Sequence, residues 1–178
     1  DDNKYIDSTF IEGNKFVFKG EVDTASFCRI DVSRSAFGNF ILEGGNVKVN
    51  LKEYNHPSGT PQNDEISKIA YEEDSLYSYV DKKQAEIEKQ YPDVKKAREA
   101  MKGLMDEVTE NLATRCKKLF SQHNNDAVGY FLTGTVLFYH LDADVKLEII
   151  NTFGPWLKSQ KMVQRTVTRL EASKKTAE

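Results

Sequence analysis

The sequence is short of nearly every residue type that announces chemistry. Cysteine occurs twice, histidine three times and tryptophan once in 178 residues. Cys28 and Cys116 stand far apart and fit no metal or redox spacing, which excludes a C-x-x-C dithiol and a cysteine-rich zinc motif. His56, His123 and His140 fall on a loop, a helix end and a stretch that reads as buried. No two of them share the i, i+4 placement of a helical zinc site. There is no G-x-S-x-G elbow, no P-loop and no dinucleotide glycine fingerprint. No apolar run approaches the roughly 18 residues that span a bilayer. A formal net charge of −3 offers no concentrated basic surface, so no nucleic-acid partner is expected. The residues nominate no catalytic group, no cofactor and no metal ligand.

What is present is an ordinary globular balance, 39% hydrophobic and 30% charged, in a chain long enough to bury a core without disulfides. Residues 7–20 read as a β-hairpin: Gly13 and Asn14 tolerate positive φ, and Phe16 and Phe18 alternate with Lys15 and Lys19. Cys28, Ile30 and Val32 alternate with Phe27, Arg29 and Asp31 as a third strand, with Cys28 on its apolar side. Phe40-Ile41-Leu42 is a fourth strand, Gly44-Gly45 a turn, and Val47, Val49 and Leu51 mark a fifth. The expected fold is α+β: a small antiparallel sheet of about five strands packed on about five helices. The sheet region is 5–57 and the helical region 58–178, two parts of one module. The inward set expected for the sheet is Phe16, Phe18, Cys28, Ile30, Ile41, Val47, Val49 and Leu51.

Beyond His56-Pro57-Ser58-Gly59-Thr60-Pro61 the period becomes helical. Thr60 reads as an N-cap, Pro61 as the first helical residue, and Asp64 and Glu65 suit the positive end of the helix dipole. Asn63 stands where a capping box would carry Glu or Gln. Apolar positions from Ile66 to Tyr91 predict one long helix ending at Pro92, and those from Val94 to Phe120 a second. Each is roughly 40 Å long at 1.5 Å per residue, and the short connection makes them an antiparallel pair. Residues 127–141 read as a central buried helix, with a strand as the competing assignment because of Thr133, Thr135 and Val136. A short helix from Asp142 to Phe153, a stop at Gly154-Pro155 and a last helix carrying Trp156, Leu157, Val163, Val167 and Leu170 follow.

Three features invite a functional reading, and each has a plainer one. The two cysteines lie on apolar sides of their elements and read as buried fillers; a Cys28–Cys116 disulfide is the weaker alternative. Glu72-Glu73-Asp74 could be paired carboxylates, but consecutive helical residues point apart, which favours a solvated face. Lys158, Lys161, Arg165 and Arg169 form a basic stripe opposite Leu157, Val163, Val167 and Leu170, read as the wet face of the last helix rather than an anion-binding ridge.

The order Ile6-Asp7-Ser8-Thr9, Gly13-Asn14-Lys15-Phe16-Val17-Phe18-Lys19-Gly20, Asn39-Phe40-Ile41-Leu42-Glu43-Gly44-Gly45 and Ser58-Gly59-Thr60-Pro61-Gln62-Asn63-Asp64-Glu65 is a recognisable series. It resembles the domain of unknown function that precedes the thioredoxin-like domain in envelope thiol-disulfide oxidoreductases of the TlpA/ResA type. The helical remainder matches more loosely, mainly through Asn125-Asp126-Ala127-Val128-Gly129-Tyr130. The family's further strand pair before Ile6 is absent, and its W-C-x-x-C centre lies in the next domain, so no catalytic residue carries over. The resemblance implies a non-catalytic accessory module that docks substrates, dimerises or positions a downstream thioredoxin-like domain. Its implied partners are that domain and disulfide-containing proteins, with homo-oligomers included. It also implies export to the periplasm or an outer-membrane-anchored position in the cell envelope. Asp1 opens the chain without a leader and residues 170–178 run out in polar residues, which reads as a segment of something longer. The competing expectations are a standalone scaffold using its helical hairpin and, with nothing in the spacing to support it, a hydrolase with a cleft between sheet and helices.

Overall fold

A computed structural model describes residues 4–34, 36–52 and 56–175, so the expectations for Asp1 and for the end of the polar tail fall outside the described residues. The described residues contain two strands, β1 (Ser26–Ser33) and β2 (Ala36–Leu42). Seven helices follow: α1 (Pro61–Gln90), α2 (Val94–Gln122), α3 (Ala127–Leu132), α4 (Val136–Tyr139), α5 (Ala143–Asn151), α6 (Pro155–Ser159) and α7 (Lys161–Lys175). The expectation of about five strands is therefore wrong, and the molecule is mainly helical.

The missing strands have a common cause. Around Gly13 (φ +56°) and Asn14 (φ +65°) the turn forms as expected, and Glu12 and Lys15 exchange both backbone bonds at 2.9 and 3.0 Å. The arms of this hairpin do not pair further. Tyr5, Ile6, Phe10, Ile11 and Val17 are exposed, Phe10 at 88%, so no second layer offsets the cost of ordering a two-stranded ribbon. The fifth strand likewise reduces to one bridge, Lys48 with Ser58, with Val47, Val49 and Leu51 only half-buried.

β1 and β2 form an antiparallel pair in which Phe27 faces Ile41 and Cys28 faces Phe40. The side turned to the helices is the Phe27–Ile41 side, as expected for Ile41 of β2 but opposite to the Cys28 side expected for β1. Ile41 is completely buried, and the Phe27 ring lies 5.7 Å from Tyr130 and 6.0 Å from Phe131 of α3. Of the expected inward set only Ile41 is buried; Phe18 is exposed.

The core is helical. Ile66 and Ile69 of α1 and Leu112, Cys116, Leu119 and Phe120 of α2 pack with α3 to α7 around an aromatic centre, where Phe120 sits 5.4 Å from Phe138 and 5.0 Å from Phe153. The stretch 127–141 is neither one helix nor a strand. Thr133 and Thr135 turn their hydroxyls back onto the carbonyls of Tyr130 and Leu132, and Thr135 then accepts from the Phe138 amide to start α4. His140, expected inside, is exposed. The last helix is also two, α6 and α7, parted at Gln160.

Candidate functional site

The motifs of residues 39–65 converge on one junction between β2 and the start of α1. Thr60 occupies the N-cap position of α1, but its hydroxyl makes no capping bond. The orphan amides are met from another element. Glu43 Oε1 accepts from the backbone N–H groups of Gln62 (2.9 Å) and Asn63 (3.2 Å) and from Asn63 Nδ2 (3.2 Å), while Oε2 accepts from Gln62 Nε2 (3.2 Å). A carboxylate here also suits the positive pole of the helix.

Asn63 is completely buried and answers both backbone groups of Ile41: its Oδ1 accepts from the Ile41 N–H at 2.9 Å and its Nδ2 donates to the Ile41 carbonyl at 2.7 Å. Nδ2 also donates to Thr60 Oγ1 at 2.7 Å. The carboxamide thus does for β2 what a neighbouring strand would do. Asp64 accepts from the Gly59 N–H at 2.9 Å, and Gly59, at φ +95°, has no room for a side chain because a Cβ would overlap the Asn46 carbonyl.

The second motif, Asn125 to Tyr130, builds a second junction. Asn125 Oδ1 accepts from the amides of Trp156 (2.8 Å) and Leu157 (3.3 Å), and Asp126 caps α3 through the Gly129 N–H (2.8 Å) while its other oxygen lies 2.9 Å from His123 Nδ1. A side chain at Gly129 would overlap the His123 carbonyl. The signature residues of 39–65 and 125–130 are here used in holding elements together. Sequence reasoning missed Glu43 and the bridging role of Asn63. The available signal was an acid directly after a strand and before Gly44-Gly45, within reach of a helix start that lacks its own capping acid.

The other nominated residues do not assemble. Both cysteines are free thiols, so the Cys28–Cys116 disulfide is not formed. Cys28 is half-buried and its pKa is raised by burial, which outweighs bonds from Ser26 and Leu42; Cys116 is buried and pushed up to about 12, first by burial and then by the charge of Glu73. Burial thus disfavours the thiolate form at both positions.

Glu72, Glu73 and Asp74 point three ways. Glu72 takes a two-pronged bond from Arg115 at 2.8 and 2.6 Å, Glu73 accepts from the Leu137 N–H at 3.1 Å with its pKa raised by burial, and Asp74 lies 3.2 Å from His56 Nε2. His56 also stacks on Tyr71 at 3.9 Å. Among the described residues, no three His, Cys, Asp or Glu side chains are grouped to hold a metal ion, and no helix is long and apolar enough to cross a membrane. On α7, Val163 is buried and Val167 and Leu170 are half-buried opposite the basic stripe, and Lys158 at its start donates to the Asn151 carbonyl at 2.9 Å.

A family model described as a domain of unknown function (DUF4369) matches residues 1–66. This similarity covers both strands, the Glu43–Asn63 junction and the first turns of α1, and it stops before the rest of the helical region. No curated protein and no solved structure matches the chain.

The distal part of the α1–α2 hairpin contains no fully buried residue. Buried residues in the pair are confined to 63–70 of α1 and 108–120 of α2. From residue 71 to residue 107 none is buried. The twenty residues 71–90 of α1 alone extend about 30 Å. Leu76, Val80 and Ile87 face Ala97, Met101 and Leu104 as a half-buried seam at three- and four-residue steps. Tyr71, Tyr77 and Tyr79 of α1 and Val94 of α2 are exposed, and a shallow groove of about 250 Å³ lies at the base of this arm between Glu72, Tyr79, Glu107, Asn111 and Arg115.

Proposed function

We propose that the chain is a non-catalytic accessory module that works by docking protein partners, of the kind that accompanies a thioredoxin-like domain in envelope thiol-disulfide oxidoreductases. The observation that carries this reading is the helical arm: residues 71–107 run outward from the edge of the core, include no fully buried residue and display tyrosines and charged residues to solvent. Such a projection has no use in a hydrolytic cleft and fits a surface that receives or positions another protein. The raised pKa values of both thiols support a module that does not itself exchange disulfides. The match of residues 1–66 to a domain of unknown function agrees with this assignment at the level of the module, while the oxidoreductase context and the envelope location rest on the sequence resemblance.

The test is an insulin-reduction assay on the whole chain, run beside thiol labelling in native and denaturing buffer. The expected outcome is no turnover above the blank, with Cys116 labelled only after denaturation. Robust turnover, or fast labelling of both thiols in native buffer, overturns the reading.

A further inference from the structure

The groove at the base of the arm has an apolar floor and a polar rim. Leu76 of α1, Val108 and Leu112 of α2 and Leu137 of α4 make the floor, and the last three are buried. Glu72 stands four residues before Leu76 and Tyr79 three after it, which sets both on the same side of α1 as the floor. Glu107 and Asn111, four apart on α2, form the opposite rim. At about 250 Å³ the space is smaller than the roughly 300–1,000 Å³ of sites that enclose a drug-sized molecule, so it suits one inserted side chain.

The rim carries negative charge that the chain itself does not answer. Glu72 is bonded on both oxygens by Arg115, at 2.8 and 2.6 Å, so that pair is neutral as a unit and its guanidinium is already engaged. Glu107 is exposed and has no ion-pair partner among the described residues. The helical neighbours within its reach, Gly103, Leu104, Glu110 and Asn111, include no cation. Across the groove the situation is the same: α1 has no lysine or arginine from 69 to 81, and α2 has none from 103 to 114. Lys83, one turn beyond Tyr79, is held by Glu86 at 2.7 Å. Tyr79 is 42% exposed and adds an aromatic ring to the rim.

We propose that this groove is the docking point of the arm for a basic segment of a partner protein, and that it receives one arginine side chain of that segment. The inference rests on the reading of the arm as a docking element and names the chemistry of its partner. An anionic side chain would meet the charges of Glu107 and Glu110 with no cation free to offset them. A purely apolar one would cover the floor but take water from the Glu107 carboxylate and give nothing back. Arginine answers both surfaces. Its methylene stem lies along Leu76 and Val108, its planar fork pairs with the Glu107 carboxylate, and its guanidinium packs on the Tyr79 ring.

Fluorescence anisotropy on the whole chain tests it with a dye-labelled peptide of alternating leucine and arginine, and with the same peptide carrying citrulline, which keeps the shape of arginine without its charge. The arginine peptide is expected to bind at low salt, and the citrulline peptide at least about tenfold more weakly. Glu107→Lys is expected to weaken binding of the arginine peptide by at least about tenfold and Tyr79→Ala by about threefold. Glu148→Lys, an equal change of charge at an exposed position of α5, is expected to leave binding unchanged. Circular dichroism checks that each variant keeps its helices. No binding of the arginine peptide, equal binding of the citrulline peptide, or equal losses in Glu107→Lys and Glu148→Lys overturns the proposal. A dimer in sedimentation velocity that Glu107→Lys abolishes also overturns it, since the groove then belongs to a second copy. Insulin turnover by a chain that binds the arginine peptide removes the accessory reading alone, whereas a chain with neither turnover nor binding loses the groove and keeps the accessory reading.

Discussion

The two ends of the α1–α2 hairpin share the same pair of helices and the same three- and four-residue apolar spacing, yet they live in different environments. At the body end, Ile66, Ile69, Leu112, Leu119 and Phe120 are buried because α3 to α7 and the Phe27–Ile41 side of the sheet close over them. At the arm end, Leu76, Val80 and Leu104 border the core, Met101 and Ile87 lie farther out, and all remain half-buried. Amphipathic spacing states which side of a helix prefers to be covered. How much of that side is covered depends on whether other elements arrive to do it.

The sharpest way to break this comparison is to truncate one large residue at each end. Phe120→Ala should destabilise the chain by about 3–5 kcal/mol, since it opens a cavity under Phe138 and Phe153. Leu104→Ala in the arm should cost about 1 kcal/mol, because a half-buried side chain has less to lose. Equal losses in chemical denaturation would mean that the arm is as tightly packed as the body. Next in size is Asn63→Ala, which leaves the Ile41 N–H and carbonyl without partners in a buried place and should cost about 2–4 kcal/mol. A loss below about 1 kcal/mol would show that β2 does not depend on the carboxamide.

The smallest effect lies at the border between the two ends. Burial raises the pKa of Glu73, so between its ordinary value and the raised one the folded chain holds more proton than the unfolded chain. Stability from this group is therefore present at low pH and is lost as pH rises through the raised value. Glu73→Gln keeps an acceptor for the Leu137 N–H, and it should stabilise the chain by about 0.5–1 kcal/mol at neutral pH and flatten that part of the pH profile. Thermal melts across the acid range would show a steeper profile in the variant if the sign were wrong.

Much of the helical half was legible in the sequence. Pro61, Pro92 and Asp93 bound α1 and α2 at the expected places, and Asp93 caps α2 by accepting from the Lys96 N–H at 3.0 Å. β1 and β2 fall where alternating stretches were read, although the inward side was assigned to Cys28 when Phe27 holds it. The remaining strands were misread because alternation and a good turn at Gly13-Asn14 are local signals, whereas a strand is stabilised by a partner and a covering layer that the local sequence does not reveal. The split of 127–141 matches neither expected alternative: Thr133 and Thr135 suggest a strand through β-branching, whereas their hydroxyls act by competing with the helix ladder. Of the junction, Thr60 and Asn63 were noted as parts of a helix start, but Glu43 was out of reach. Its role depends on a contact across 19 residues, which no local spacing rule can see.

The Glu43–Asn63 tie also governs how the chain can come apart. A strand held by a side chain from a helix cannot peel away by itself, since Ile41 leaves only when the carboxamide lets go, and Asn63 belongs to the first turn of α1. Unravelling that begins in the amino-terminal coil therefore has a natural stopping point at β2. Past that point, one cooperative event must free the strand and the head of the long helix together.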